Sequence, residues 1–331
     1  APKTDLSMTV EQPLVSLITI NYNSLAVTTE MLDSVRKLKY PNIEVIVVDN
    51  ASHENPGSIL KSAYPEVIFI RSEVNLGFSG GNNMGIQASK GAFLYFVNND
   101  TELIEGSITL LVSLCKKVEK LGAVSPMIYH HPELHAEIGE LIQYSGTTRV
   151  NALTARNQTI GAGEIDNGQF DQPCPTAYVH GAAMMIPREV VEKVGMMPEE
   201  FFLYYEELDW CDQIRNAGYK IYLEPRAKIY HKESVSIGKM STLKTYYLTR
   251  NRILYIRRQR SVFEVFIFSL FLVFFTIPKN LILYLIKGEW QHARVFLKAI
   301  FWHLKPESKT VFKPLPRLAV LISSSNSKAE I

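Results

Sequence analysis

The stretch Ala92-Phe93-Leu94-Tyr95-Phe96-Val97-Asn98-Asn99-Asp100 is apolar through Val97 and then breaks into two amides and a carboxylate. In open α/β sheets ligands bind outside the carboxyl ends of the strands, so side chains placed there can meet a substrate or a metal. The same break recurs where the run 15–20 meets Asn21-Tyr22-Asn23 and where 45–48 meets Asp49-Asn50. The preference of Asn and Asp for the turns that follow strands explains any one of these. Three together mark convergent polar groups in one crevice. A second acidic group, Glu206-Glu207-Leu208-Asp209-Trp210, follows the aromatic run 201–205 and opens a helical pattern that stops at Gly218. Acids at a helix start are favoured by the macrodipole, which is the structural account of Glu206, Glu207 and Asp209. General-base work on a hydroxyl is the chemical one.

The elements that would position these groups alternate strand and helix from residue 13 to about 127, the pattern of a parallel sheet with helices on both faces. Strands are expected over 15–20, 43–48, 67–71, 93–97 and 123–126. Helices are expected over 27–38, with Leu32, Val35 and Leu38 on one face, and over about 81–89. The loop before that second helix, with Asn75, Gly77, Gly80, Gly81 and Asn82, would let backbone approach a ligand. By itself Gly80-Gly81 reads as an ordinary turn, and no G-x-G-x-x-G follows the first strand, so this is no dinucleotide fingerprint. Residues 133–172 read as a hairpin or irregular insert. A further strand over 177–186 carries His180-Gly181, with a helix starting near Arg188, and His231 closes the short run 227–230.

A length of 331 residues exceeds the usual single domain, and a net charge of +2 gives no nucleic-acid footprint. Cys115, Cys174 and Cys211 are scattered without metal spacing and read as reduced thiols. The polar opening 1–12 carries no cleavable signal. Arg250, Arg252, Arg257, Arg258 and Arg260 crowd before the apolar run 265–277, which Pro278-Lys279-Asn280 is expected to interrupt before 281–286 resumes. Basic clusters beside apolar aromatic segments suit an anionic membrane face. Neither run alone reaches the roughly 20 residues that span a bilayer. An in-plane or re-entrant membrane contact is therefore expected, with a buried hairpin or a homo-oligomer interface as the alternative. The segment 289–304 reads as an amphipathic helix, and the tail from 306 as loose apart from 318–322.

The ordered motifs Val15-Ser16-Leu17-Ile18-Thr19-Ile20-Asn21-Tyr22-Asn23, Val47-Val48-Asp49-Asn50-Ala51-Ser52, Asn75-Leu76-Gly77-Phe78-Ser79-Gly80-Gly81-Asn82-Asn83-Met84-Gly85, Asn98-Asn99-Asp100 and Tyr205-Glu206-Glu207-Leu208-Asp209-Trp210 resemble those of inverting glycosyltransferases of family 2. The chain is similar to the bacterial rhamnosyltransferases of surface-polysaccharide assembly. The resemblance implies a GT-A fold over 13–258, with a nucleotide-sugar half over 13–127 and an acceptor and catalytic half over 128–258, followed by interface helices over 259–305. It implies that Thr19, Asn21, Asn23, Asp49, Asn75, Gly77, Gly81, Asn82, Asn98 and Asn99 bind the donor, and that His180, Gly181 and Trp210 face the acceptor. Asp100 becomes the acid that binds a divalent cation, Mg²⁺ or Mn²⁺, with His231 as a second ligand; imidazole suits Mn²⁺ better. The family's usual Asp-x-Asp has Asn98 in its first place here, which removes one negative charge. Glu207 corresponds to the general base, beside Glu206 and Asp209, and replaces the commoner Asp, so the roles within the pair stay open.

The implied activity is transfer of a sugar, rhamnose among the candidates, from a dTDP-, UDP- or GDP-linked donor to a glycan or lipid-linked acceptor at the inner face of the cytoplasmic membrane. A processive synthase would carry several membrane spans and a Gln-x-x-Arg-Trp motif. A non-catalytic nucleotide-sugar or carbohydrate-binding module would turn over no donor.

Overall fold

The computed structural model describes residues 12–135, 139–232 and 241–305, so the expected N-terminal extension up to residue 11 and the tail from 306, with its run 318–322, lie outside the described residues. Ten strands form one sheet: β1 (Val15–Asn21), β2 (Ile43–Asp49), β3 (Val67–Arg71), β4 (Phe93–Val97), β5 (Thr101–Leu103), β6 (Leu121–His130), β7 (Ile142–Tyr144), β8 (Cys174–Pro175), β9 (Ala183–Pro187) and β10 (Lys220–His231). Their order is β3-β2-β1-β4-β9-β6-β10-β5, with β7 on β6 and β8 on β10. The β1–β2, β2–β3, β1–β4 and β6–β10 ladders are parallel, while β9 runs antiparallel to both β4 and β6. It is a mostly parallel mixed sheet.

Strands buried on both faces read as continuous apolar runs, and here the alternation of side chains sorts each run into two cores. Ile18, Ile46, Val48, Leu94 and Phe96 enter the first, while Leu17, Val45, Val47 and Tyr95 enter the second. Helices α1 (Leu25–Arg36), α2 (Gly57–Ala63) and the later α4 (Ser107–Lys117) cover the second core with Met31, Leu60 and Leu111. Helix α3 (Gly77–Ala88) covers the first, lying on β1 so closely that a Cβ at Gly85 would stand 2.3 Å from Ile18 Cγ2. After α5 (Pro132–His135), the segment before β8 is an irregular hairpin bridged at Leu141–Ile165, Thr147–Thr159 and Asn151–Arg156, as expected. Helices α6 (Arg188–Val194), α7 (Glu206–Asn216) and α8 (Thr242–Gln259) complete the first core.

Several expectations need correction. The strand expected from 177 begins only at Ala183, because Ala183 N–H donates to His180 O at 3.1 Å and closes a tight turn. The run 227–230 is the end of the twelve-residue β10, which bulges between Glu224 and Lys228 where Pro225 has no N–H for the ladder. Helix α8 was not anticipated at all.

Pro278 does not interrupt the apolar region. Residues 262–286 form one 25-residue helix with mean hydropathy 2.0, long and apolar enough to cross a membrane by length and composition. It comprises α9 (Val262–Phe271), a π-helical turn (Leu272–Thr276) and α10 (Ile277–Ile286). Proline inside a helix lacks a donor and clashes with the carbonyl four residues back, and a wider π turn just before it accommodates the ring. Phe268 and Leu272 are buried against the first core, but Val262, Phe263, Phe274 and Ile286 are each more than 60% exposed. The helix is not a buried hairpin. Helix α11 (Trp290–Phe301) packs back on α8, where Thr245 Oγ1 meets His292 Nδ1 at 2.8 Å.

The close seat of α3 on β1 predicts that Gly85→Val destabilises the fold by about 1–3 kcal/mol through overpacking, and that adding Ile18→Ala recovers part of the loss. Urea denaturation midpoints measure both. An unchanged midpoint in Gly85→Val would show that α3 does not pack there.

Candidate active site

The carboxyl ends of β1 and β4, the start of α3, the 180–183 turn, the end of β10 and the starts of α7 and α8 surround a cavity of about 550 Å³. Among the residues expected to act, Asn75, Gly77, Asn82, Asn98, Asn99, Asp100, His180, Gly181, Glu206, Glu207 and His231 all line it. Segments far apart in sequence thus converge.

The loop that leads into α3 is fixed by Asn50, whose amide donates to Asn75 Oδ1 at 3.0 Å and Gly77 O at 2.9 Å while its Oδ1 accepts from Leu76 N at 2.9 Å. Gly77 holds φ +72°, and a Cβ there would stand 2.2 Å from Phe202 O, so only glycine fits. Phe78 N–H donates to that same Phe202 O at 2.6 Å. Gly77, Gly81 and Asn82, expected in a loop, lie within α3, and the first turn of that helix therefore touches the segment that precedes the acids of α7.

Those acids begin a helix whose N-cap, Tyr205, offers no side-chain cap. Glu206 is 4% exposed and its Oε2 has no partner. Burial, and then the neighbouring Glu207, push the Glu206 carboxyl well above the usual carboxylate range. Burial pushes Glu207, which borders the cavity, up to about 7. Both carboxyls are raised, and Glu207 is placed to exchange a proton near neutral pH.

Across the cavity Asp100 Oδ1 lies 3.0 Å from His231 Nε2, yet this buried oxygen makes no hydrogen bond. Gln143 Oε1 sits 2.9 Å from His231 Nδ1, and an acceptor there calls for a proton on Nδ1. A buried carboxylate oxygen without a hydrogen bond, beside an imidazole whose Nε2 faces it, is a donor pair that fits a divalent cation when Nε2 carries no proton. Among the described residues no three His, Cys, Asp or Glu side chains form a metal cluster, so such an ion would need oxygen ligands from elsewhere. His180 Nδ1 accepts from Ala182 N at 3.0 Å, and burial, with His231 nearby, pushes its imidazole down to about 3.

The remaining expected residues do not line the cavity. Asn21 and Asp49 are buried and spend their polar atoms on each other: Asn21 Nδ2 donates to Asp49 Oδ1 at 2.8 Å, and Arg71 pairs with Asp49 Oδ2 at 2.5 Å. Thr19 is buried, Asn23 joins Ser52 and His53 through backbone and side-chain bonds, and Gly81 packs on Ile20. Trp210 is 1% exposed, donating to Gly195 O at 3.0 Å with its ring edge-on to Phe96. Asp209 is fully buried and accepts from Arg258 Nε at 3.0 Å, Gln213 Nε2 at 2.6 Å and Gln259 Nε2 at 2.7 Å. It clamps α8 to α7. Sequence reasoning passed over Gln143 and Lys244 of the lining, and Asn50 as the loop's anchor; an Asn directly after a strand-end Asp was the one available signal.

The sequence pattern of glycosyl transferase family 2 matches residues 16–195. The chain belongs to that family. The low-salt glycan biosynthesis hexosyltransferase Agl10 of Haloferax volcanii is 27% identical over 72% of this chain and 74% of its own length. The N-acetylglucosaminyl-diphospho-decaprenol L-rhamnosyltransferase of Mycobacterium tuberculosis is 22% identical over 60% of this chain and 69% of its own length. Among solved structures, the mannosyltransferase PcManGT of Pyrobaculum calidifontis, in complex with GDP-Man and Mn²⁺, has a TM-score of 0.54 at 15% identity, covering 97% of this chain and 89% of that one. The shared architecture is GT-A-like. Another relative, y4gI of Sinorhizobium fredii, is far longer, and the match spans 27% of it.

The different surroundings of the three acids predict opposite effects on stability. A carboxyl whose folded pKa is raised from 4.5 to about 7 binds protons more tightly folded than unfolded, so it lowers stability as pH rises from about 4.5 to 7. Glu207→Gln should flatten that decline and melt higher than the parent at pH 8. Asp209→Ala, which takes one of two carboxylate partners from the buried Arg258 and leaves Glu200, should lose about 1–3 kcal/mol. Thermal melts across pH check both, and a Glu207→Gln protein less stable at pH 8 would show that Glu207 is not desolvated.

Proposed function

We propose that this family 2 glycosyltransferase is an inverting hexosyltransferase, with rhamnose among its candidate sugars and a lipid-linked or polysaccharide acceptor in cell-surface glycan synthesis. The observation that carries the reading is that one cavity is bordered by the raised Glu206–Glu207 pair on one side and by Asp100 with His231 on the other. Glu207 takes the proton of the acceptor hydroxyl as that oxygen bonds to the anomeric carbon. The bond from that carbon to the diphosphate oxygen breaks on the opposite face, and the configuration inverts. A base is most effective when its pKa lies near the working pH, which favours Glu207 over the more deeply buried Glu206. Asp100 and His231 would hold a divalent cation, Mg²⁺ or Mn²⁺, which as a Lewis acid offsets charge on the departing diphosphate. Asn75, Gly77, Asn82, Asn98 and Asn99 border the space for the nucleotide sugar, and His180 and Gly181 that for the acceptor. The relatives' activities, hexosyl and rhamnosyl transfer, support the same class.

Turnover of a panel of dTDP-, UDP- and GDP-linked sugars with Mn²⁺ tests this. Glu207→Gln should lower turnover by about 10²–10⁴-fold while nucleotide binding persists, and Asp100→Ala should abolish the effect of Mn²⁺ on nucleotide affinity. Normal turnover in Glu207→Gln with loss in Glu206→Gln would exchange the two roles, and full activity in excess chelator would remove the cation.

The helix over 262–286 lies in the membrane interface in this reading. Its first turns pack on the catalytic domain through Phe268 and Leu272, so the helix runs alongside the domain with its other face free for lipid. Arg257 and Arg260 stand at its start, where cations contribute roughly 1 kcal/mol each near an anionic surface, while Arg258 is committed to Asp209 and Glu200. The full chain should float with anionic liposomes at low salt, and a Phe263→Ser, Phe274→Ser, Phe275→Ser variant, altered only at exposed positions, should not. A full chain that stays in the dense fraction would end the membrane reading.

A further inference from the structure

Directly before Glu206 the backbone holds left-handed conformations at Phe202 (φ 63°), Tyr204 (φ 69°) and Tyr205 (φ 76°). None of these is glycine, and bulky residues in that region are strained. Such a turn persists only when its surroundings over-determine it. Within the turn Phe201 O accepts from Leu203 N–H at 2.7 Å and Tyr205 O from Asp209 N–H at 3.0 Å. One side chain gathers three of its carbonyls: the Asn251 amide nitrogen lies 2.8 Å from Phe201 O, 2.7 Å from Leu203 O and 2.8 Å from Tyr204 O. Asn251 is fully buried. Its own oxygen accepts from Arg250 Nε at 2.8 Å, which fixes the orientation of the amide, and Arg250 Nη2 donates in turn to Phe201 O at 2.8 Å. The one carbonyl of the turn that points the other way, Phe202 O, accepts from Phe78 N–H in the first turn of α3, bordering the donor space.

We infer that Asn251 is a positioning residue for the transfer reaction: its amide holds the 201–205 turn so that Glu206 and Glu207 on one flank and the first turn of α3 at Gly77-Phe78 on the other meet in one cavity. The inference rests on the proposed roles of the two glutamates. Asn251 does not itself line the cavity and acts through the backbone of Leu203 and Tyr204, which do. Because it belongs to α8, which the extended Arg260-Ser261 link joins to the apolar helix, the turn is tied to the element proposed to contact lipid.

The test uses the full chain and three variants. Asn251→Asp keeps the size, removes both amide hydrogens and sets a carboxylate against three carbonyls. Asn251→Ala removes the group, and Asn251→Ser keeps one donor. Per folded molecule, Asn251→Asp and Asn251→Ala should lower kcat for sugar transfer by about 100-fold, the effect of roughly 1 Å of misplacement. Their affinity for UDP, GDP or dTDP, whichever binds the parent, should change less than tenfold. Asn251→Ser should fall between. Hydrogen exchange at the amides of 203–209 should accelerate in the variants while β1 and β4 stay protected. Variants that only melt lower, with parental kcat and parental exchange in this segment, would make Asn251 an ordinary core residue and overturn the inference. Should Asn251→Asp fail to fold, Asn251→Ser carries the same comparison. If the parent turns over no donor, the proposed function fails by itself, and the exchange data alone decide whether Asn251 holds the turn.

Discussion

The turn from Phe201 to Tyr205 is the constraint on which the site depends. Left-handed backbone at three aromatic residues costs on the order of 1–3 kcal/mol each, so contacts from several elements must hold it. Phe202 stacks on Tyr247 of α8 at 4.9 Å between ring centroids, Tyr205 Oη donates to Ala155 O at 2.8 Å from the irregular hairpin, and Phe78 N–H reaches Phe202 O from α3. What the strain achieves is the abrupt start of α7. The helix opens with two acids against a cavity wall and no side-chain cap, where the positive end of the helix dipole partly offsets the cost of their burial.

Helix α8 serves two partners, and its polar residues show how. Asp209 sits between Arg258, Gln213 and Gln259 with both oxygens occupied, an arrangement that adds little net stability but makes any other register of α8 on α7 expensive. One turn and more back along the same helix, Arg250 and Asn251 hold the strained turn. The two clamps fix α8 in translation and rotation relative to the catalytic helix. Everything attached beyond Gln259, including the exposed apolar helix, inherits that orientation.

Much of the sheet was legible because strands buried on both faces leave uninterrupted apolar runs, and the polar residues that end β1, β2 and β4 stood where the crevice lies. Asn98, Asn99 and Asp100 meet in the cavity for that reason, while the other eight expected residues that line it were legible only through the family resemblance. The residues that stayed outside it share a different property. Asn21, Asp49, Asp209 and Trp210 are polar or amphipathic groups whose partners, such as Arg71, Arg258 and Gly195, come from distant parts of the chain, so sequence order could not reveal that their hydrogen bonds were already spent. Asn251 was invisible for the converse reason. An asparagine within a basic, aromatic helix carries no signal until the carbonyls it meets are in place. Pro278 misled because its effect on a helix depends on whether the preceding turn can widen, and here it does.

The replacement of an acid by Asn98 has an electrostatic consequence for how the proposed cation site would fill. Among the described residues Asp100 would supply a carboxylate and His231 an imidazole nitrogen to the proposed site, while Asn98 Nδ2 stands 3.5 Å from His231 Nε2 without adding charge. Those two ligands would leave a divalent ion short of both coordination and charge. Mg²⁺ and Mn²⁺ seek oxygen ligands and are commonly held through a carboxylate together with substrate phosphates. A nucleotide diphosphate would bring both oxygens and charge to the same place, so cation and donor should strengthen one another's binding by the same factor. With an amide where a second carboxylate would let the ion bind first, occupation of the proposed site should depend on the donor.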